Sequence, residues 1–202
     1  MSKPFLLGLT GSIGMGKSTT AKLFADRGIP VWDADRCVHR LYDKGGKAVE
    51  AISKLVPDVV QDGRIDRSKL ARWLGTDPDR FSQLESIVHP LVALERTDFI
   101  ARNPAPIVVL DIPLLFETAA DHTVDAIAVV STSEANQRQR VLDRPGMTED
   151  RFQQIQKRQI PDAEKRRRAD YVIDTSTPAS AIEDVEKILK DIRKIPDARN
   201  CT

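Results

Sequence analysis

The sequence predicts an α/β fold, a five-stranded parallel sheet with helices on both faces in three layers. Three observations predict it: short runs of Val, Ile and Leu that read as fully buried strands, helical spacing between them, and a glycine-rich turn joining the first run to the first helix. The runs occupy residues 5–9, 107–110, 126–130 and 171–173, and the stub Ile29-Pro30-Val31-Trp32 supplies the remaining strand. Residues 17–27 have helical periodicity and stop at Gly28, where a left-handed cap forms readily. From 36 to 103 there is no convincing strand, while 66–74 and 77–100 place apolar residues three and four apart. That interval is too long for a loop and reads as a helical insertion. A second departure spans about 133–168, where two polar helices flank the turn Arg144-Pro145-Gly146-Met147 and Thr148 is a plain N-cap for the second. The expected division is therefore a core of 1–35 and 104–202, carrying a helical lid at about 133–168, with 36–103 inserted. The chain after Pro196 is expected to fray.

At 202 residues and 41% hydrophobic content, the chain can bury a substantial core without disulfides or metal staples. Lys plus Arg number 31 against 30 Asp plus Glu, so no overall field draws it to nucleic acid or anionic lipid, and any anion site must be local. The apolar run at 5–9 is too short for a secretory core, and nothing approaches the roughly 18 apolar residues a membrane span needs. Cys37 and Cys201 form no redox or metal spacing, and His39, His89 and His122 are scattered. A cytoplasmic setting is expected, with no membrane, nucleic-acid or obligate protein partner.

The glycine-rich turn is specific. Gly11-Ser12-Ile13-Gly14-Met15-Gly16-Lys17-Ser18 fits G-x-x-x-x-G-K-[ST] at every fixed position, directly after a strand and before a helix. The glycines let successive N–H groups curl around phosphate oxygens at the positive end of the helix. Lys17 reaches the outer phosphates, the Ser18 hydroxyl suits magnesium, and Thr19 continues the nucleotide site. The loop alone does not separate kinases from GTPases, motor ATPases or transporters.

Carboxylates narrow the choice. Asp33-Ala34-Asp35 lies just past the second strand, where ligands collect in open parallel sheets. A kinase acting on an alcohol needs a carboxylate to orient the hydroxyl and accept its proton, and Asp33 is assigned that task. Asp35 is a candidate for substrate or magnesium, although aspartates here also cap the helix beginning near Arg36. The strand Val108-Val109-Leu110-Asp111 ends in a candidate magnesium carboxylate. Ile112-Pro113-Leu114-Leu115-Phe116-Glu117 then carries exposed-looking apolar residues that would wall a substrate pocket, with Leu114 and Glu117 as the named contacts.

Positive charge gathers in the lid at Arg138, Arg140, Arg144, Arg151, Lys157, Arg158 and the run Lys165-Arg166-Arg167-Arg168. Mobile arginines neutralise charge on a transferred phosphoryl group while a closing lid excludes water. Arg140 is the favoured catalytic lid arginine and Arg144, leading into the Pro-Gly turn, the second choice. A nucleic-acid reading of the basic run conflicts with the near-neutral total and the lack of interleaved aromatics.

Five segments in order, the 9–18 loop, Asp33-Ala34-Asp35, Leu84-Glu85-Ser86-Ile87-Val88-His89-Pro90-Leu91, Pro113-Leu114-Leu115-Phe116-Glu117 and Ala169-Asp170-Tyr171-Val172-Ile173-Asp174, resemble the dephospho-coenzyme A kinase family over nearly the whole chain. The resemblance implies a P-loop kinase core, a helical domain that holds the acceptor, and a lid over ATP. It further implies transfer of the γ-phosphate of ATP to the 3′-hydroxyl of dephospho-coenzyme A, with magnesium, Asp33 as base and His89 holding the acceptor. A helix-packing histidine before a break at Pro90 is the other reading of His89. Ser12 and Met15 stand where the family often has Gly and Ser or Thr, and Thr175 where many members have Asn, near the expected adenine pocket. The competing readings are another small-molecule P-loop kinase of nucleoside, nucleotide or shikimate type, and a nucleotide-gated binding module. A GTPase is disfavoured because no Asn-Lys-x-Asp segment occurs.

Overall fold

The computed structural model describes residues 3–195; the expected fraying after Pro196, like Cys201, lies outside them. In chain order the elements are β1 (Phe5–Thr10), α1 (Lys17–Asp26), β2 (Val31–Asp33), α2 (Ala34–Tyr42), α3 (Val49–Leu55), β3 (Val60–Gln61), β4 (Arg64–Ile65), α4 (Arg67–Leu74), α5 (Asp79–Arg102), β5 (Ile107–Asp111), β6 (Ala126–Ser131), α6 (Glu134–Leu142), α7 (Glu149–Gln156), α8 (Asp162–Arg168), β7 (Tyr171–Asp174) and α9 (Pro178–Ile192). They fall into two compact units, one built from residues up to Trp32 together with those from Asn103 onward, the other from Asp33–Arg102.

In the first unit, β1 lies at the centre of a sheet of order β2-β5-β1-β6-β7. It pairs in parallel with β5 from Phe5↔Ile107 to Leu9↔Asp111 and with β6 from Leu7↔Ala126 to Thr10↔Val129. Both faces are apolar because both are covered. Leu7, Leu9, Val109, Ala128 and Val130 pack with Phe24 of α1 and with Val185, Ile188 and Leu189 of α9. On the other face Ile127 and Val129 pack with Leu115 and Phe116. The parallel register brings the carboxyl ends of β1, β5 and β6 to one edge, where the loops after them carry the chemistry.

Helix α9 is signalled by Thr177, whose side chain accepts the Ser180 N–H in a reciprocal capping box, with Pro178 in the first turn. The lid differs in detail from expectation. Helices α6 and α7 flank the Arg144–Met147 turn, and Thr148 caps α7 through the Arg151 N–H. A third helix, α8, follows and carries the basic run.

The second unit corrects two expectations. It contains an antiparallel hairpin, β3 with β4, whose turn residues Asp62 and Gly63 both have positive φ. Asp-Gly is the dipeptide that this turn favours. Helix α5 also runs through Pro90 instead of breaking there. Proline removes one helical hydrogen bond, but Leu84 and Val88 are buried before it and Glu95 pairs with Lys47 at 2.7 Å after it, so tertiary contacts hold both halves. Asp66 caps α4 by accepting the N–H groups of Ser68 and Lys69, and the Lys69 bond in particular holds its carboxyl below the usual range.

Candidate active site

The loop from Gly11 to Gly16 joins β1 to α1. Gly14 and Gly16 have φ of 79° and 89°, and Gly16 serves as the left-handed N-cap of α1. A side chain at Gly14 would also meet Val141 at 2.5 Å and the Gln137 carbonyl at 2.9 Å. Glycine is required there on both grounds. Met15 is buried at 2% exposure and packs in the core. Lys17, Ser18 and Thr19 form the first turn of α1, with the Ser18 and Thr19 side chains facing solvent.

Lys17 does not extend into solvent. Its Nζ lies 2.5 Å from Oδ1 of Asp111, the last residue of β5, whose side chain is 5% exposed. The β1–β5 register opposes Asp111 to Leu9, two residues before the loop, so the sheet itself sets this pair.

Thr175, just past β7, ties three parts of the site together. Its buried hydroxyl donates to the Met15 carbonyl at 2.8 Å and lies 3.2 Å from the Ser131 carbonyl. It also accepts from Arg140 Nη1 at 3.2 Å, while Arg140 Nη2 donates to the Thr175 carbonyl at 2.6 Å. The favoured lid arginine is thus anchored beside the phosphate loop. Bonds from Ser176, and more weakly the Arg140 charge, hold the neighbouring Asp174 carboxyl below its ordinary value. Arg144 is exposed in the turn after α6.

The segment after β5 differs from the sequence expectation. Leu115 and Phe116 are buried against the sheet, and of the two contacts named there only Leu114, 41% exposed, faces outward. Glu117 points inward. Its Oε1 lies 2.8 Å from Lys165 Nζ, a side chain with 0% exposure, and accepts the Ile160 N–H at 2.9 Å. Burial would raise the Glu117 carboxyl, but the Lys165 and Ile160 bonds outweigh it and hold it below the ordinary 4.5. An amphipathic reading of the basic run treats Lys165 as one more solvated charge; its contact with Glu117 has no local sequence signal.

A cavity of about 520 Å³ opens between the loop and the lid, lined among others by Ser12, Met15, Glu134, Gln137, Gln159 and Arg166. Ile13, next in sequence to the lining residue Ser12, has both backbone groups engaged by lid glutamines: the Gln159 side chain accepts its N–H, and Gln137 donates to its carbonyl. Sequence reasoning passed over both glutamines, which belong to no motif.

In the second unit, Asp33 is the N-cap of α2, its Oδ1 accepting the Arg36 N–H at 2.9 Å. Asp35 is exposed in the first turn of that helix. His89 is exposed, 64% by side chain, and stands 3.9 Å from Glu85 one turn earlier; that exposure argues against a packing role. His39 contacts Arg67 at 2.7 Å, and Arg67 lies over the Tyr42 ring. No helix of the described residues is long and apolar enough to cross a membrane.

Comparison with known proteins agrees with this arrangement. A protein-family model described as dephospho-CoA kinase matches residues 5–180. The dephospho-CoA kinase of Cereibacter sphaeroides is 47% identical over 97% of this chain and 100% of its own length. That of Jannaschia sp. is 52% identical over 93% of this chain and 97% of its own. Among solved structures, TT1252 from Thermus thermophilus superposes with a TM-score of 0.85 at 34% identity, covering 93% of this chain and 97% of that one. The dephospho-CoA kinase from Campylobacter jejuni, at 20% identity and a TM-score of 0.64 over 95% and 98%, shares the fold. With its phosphate loop, its parallel sheet and relatives near half identity over almost its full length, the chain belongs to the dephospho-CoA kinase family.

Proposed function

We propose that this chain transfers the γ-phosphoryl group of ATP, taken as its magnesium complex, to the 3′-hydroxyl of the ribose of dephospho-coenzyme A, releasing coenzyme A and ADP in the cytoplasm. The observation that carries the reading is the Lys17–Asp111 pair at the mouth of a complete phosphate loop, in a chain of this family. The donors suit magnesium: the Ser18 hydroxyl and the Asp111 carboxylate are hard oxygen ligands, too few for an all-protein cage, as fits an ion that keeps water and phosphate oxygens. When bound, the ion neutralises charge on the β- and γ-phosphates.

The chain's own residues do the rest. Backbone N–H groups from Gly14 to Ser18 cradle the phosphates at the positive end of α1. With nucleotide bound, Lys17 would pair with phosphate oxygens in place of Asp111, whose carboxylate would help hold the ion. Arg140, pinned by Thr175, supplies positive charge toward the nucleotide without a costly search for its geometry. The Asp33 carboxylate orients the acceptor hydroxyl. As the new P–O bond forms and the bond to the ADP oxygen breaks, Asp33 takes the hydroxyl proton. Its cap uses Oδ1, which fixes the carboxylate and leaves Oδ2 for the acceptor. The exposed Asp35, in the first turn of α2, and the exposed His89, on the helical insertion of residues 36–103, are the proposed acceptor contacts, and Leu114 an apolar wall.

The test is turnover with ATP, magnesium and a panel of acceptors: dephospho-coenzyme A, nucleosides, nucleoside monophosphates and shikimate. Conversion of dephospho-coenzyme A far faster than the others is expected. Preference for another acceptor overturns the substrate assignment, and ATP binding without turnover on any acceptor makes the chain a binding module. Asp33→Asn keeps the helix cap, since Asn caps as well as Asp, and is expected to lower turnover by about 10²- to 10⁴-fold with ATP affinity unchanged. Retained turnover removes Asp33 from the base role.

A further inference from the structure

We propose that Gln137 and Gln159 are positioning residues that clamp the tip of the phosphate loop to the lid and so set the loop's affinity for ATP; the inference rests on the ATP-binding role given above. The clamp closes on one residue. The Ile13 N–H donates to Gln159 Oε1 at 3.1 Å, and Gln137 Nε2 donates to the Ile13 carbonyl at 2.8 Å. The two glutamines come from different lid segments, Gln137 from α6 and Gln159 from the stretch between α7 and α8. Gln156 of α7 links them, its Nε2 donating to Gln137 Oε1 at 3.3 Å. Gln137 is 4% exposed, so its carboxamide is a committed, desolvated group and not a surface side chain in passing contact.

The physical need is plain. The loop contains glycines at positive φ on the far side of Ile13, and such a segment has many conformations in which its N–H groups do not converge. Holding both polar groups of Ile13 removes much of that freedom before nucleotide arrives, which lowers the ordering cost charged against binding. The clamp also makes loop geometry depend on lid geometry, because both partners of Ile13 sit in the lid. Ordinary packing between the lid and the loop does not require that both backbone groups of one residue be matched, donor to acceptor and acceptor to donor.

That matching supplies the test. Gln159→Glu and Gln137→Glu each add one negative charge beside Ile13. The first keeps an acceptor facing the N–H, whereas the second puts an acceptor against a carbonyl oxygen. ATP affinity, measured by calorimetry on the whole protein with magnesium present, is expected to fall about tenfold further in Gln137→Glu than in Gln159→Glu. Gln159→Leu, which removes its bond without adding charge, is expected to raise the KM for ATP several-fold while kcat at saturating ATP stays near wild type, the signature of a lost binding contribution. Thermal midpoints are expected to shift little in Gln159→Leu and Gln159→Glu. Equal losses in the two Glu variants, unchanged ATP affinity in Gln159→Leu, or a loss in either Gln159 variant that tracks a lowered midpoint would each overturn the clamp. Failure of the wild-type protein to bind ATP would instead overturn the reading on which it rests.

Discussion

The two units prepare their functional groups differently. In the first, the proposed donor-site groups that reach inward are already held: the Lys17 side chain by Asp111, that of Arg140 by Thr175, and the Ile13 backbone by two glutamines. In the second, Asp35 and His89 stand exposed, and the nearest ion partner of His89 is a glutamate at 3.9 Å, where little energy is gained. A phosphate loop is built from backbone dipoles, which act only when they converge, so it must be rigid before its ligand arrives. Groups that grip a large acceptor can be ordered by the acceptor itself. The difference predicts large penalties for substitutions in the first unit and small ones at the exposed candidates of the second.

Within the first unit the largest effect should come from Lys17→Ala. Loss of this charge at the phosphates is expected to lower kcat by about 10²- to 10³-fold, the range for removing one stabilising group from a developing negative charge. The thermal midpoint should change less than a buried-pair loss implies, since Asp111 keeps other interactions. Steady-state kinetics beside a melting curve checks both; kcat within tenfold of wild type would break the claim that the donor end is the rigid, demanding one.

Next comes the buried pair Glu117–Lys165, which secures the middle of α8 to the loop after β5. Lys165→Met leaves a carboxylate buried without its cation and is expected to cost about 3 kcal/mol of stability, read by chemical denaturation. Replacing both partners with apolar residues should recover most of that loss. The pair also has a pH signature. Because the Glu117 carboxyl is held below its ordinary 4.5, its contribution is present above that value and is lost as pH falls through the folded-state value. The gap in thermal midpoint between wild type and Glu117→Gln should therefore be widest near neutrality and close on acidification. A gap that widens below pH 4 would show that the carboxylate is not stabilised as described.

Smaller again is Thr175→Val. It preserves shape but strands the Met15 carbonyl and releases one arm of Arg140, for a loss of about 1 to 2 kcal/mol in stability and a rise in the KM for ATP. An unchanged KM would detach Thr175 from the nucleotide site.

How much of this was legible follows from the range of the interactions involved. The strands announce themselves because a parallel sheet covered on both faces needs unbroken apolar runs, as at Val108-Val109-Leu110. The phosphate loop is legible because its chemistry lies in eight consecutive residues. Asp62-Gly63 carried its turn signal openly, yet the strands beside it are two residues long and show no alternation. Pro90 misled because a local rule was outweighed by packing on both sides of it. Glu117–Lys165 and Gln137–Ile13–Gln159 could not be read at all. Their partners are separated by 48 residues along the chain in the first case and more than 120 in the second, and only the crossing of the lid over the sheet brings them together. The hydrophobic pattern encodes that a core forms, not which polar groups meet at its edge.

The smallest expected effect is also the one that decides what the second unit does. His89 is too exposed to support packing, so His89→Ala should leave the thermal midpoint unchanged. If it donates one hydrogen bond to the acceptor, its loss is worth about 1 kcal/mol, or roughly fivefold in the KM for dephospho-coenzyme A, with the KM for ATP untouched. That pattern would place acceptor recognition on a face that becomes ordered only when occupied, in contrast to the prebuilt phosphate loop. A lowered midpoint with unchanged KM would instead return His89 to a structural role on α5. A large fall in kcat would mean that the insertion is as preorganised as the loop and that the contrast between the units does not hold.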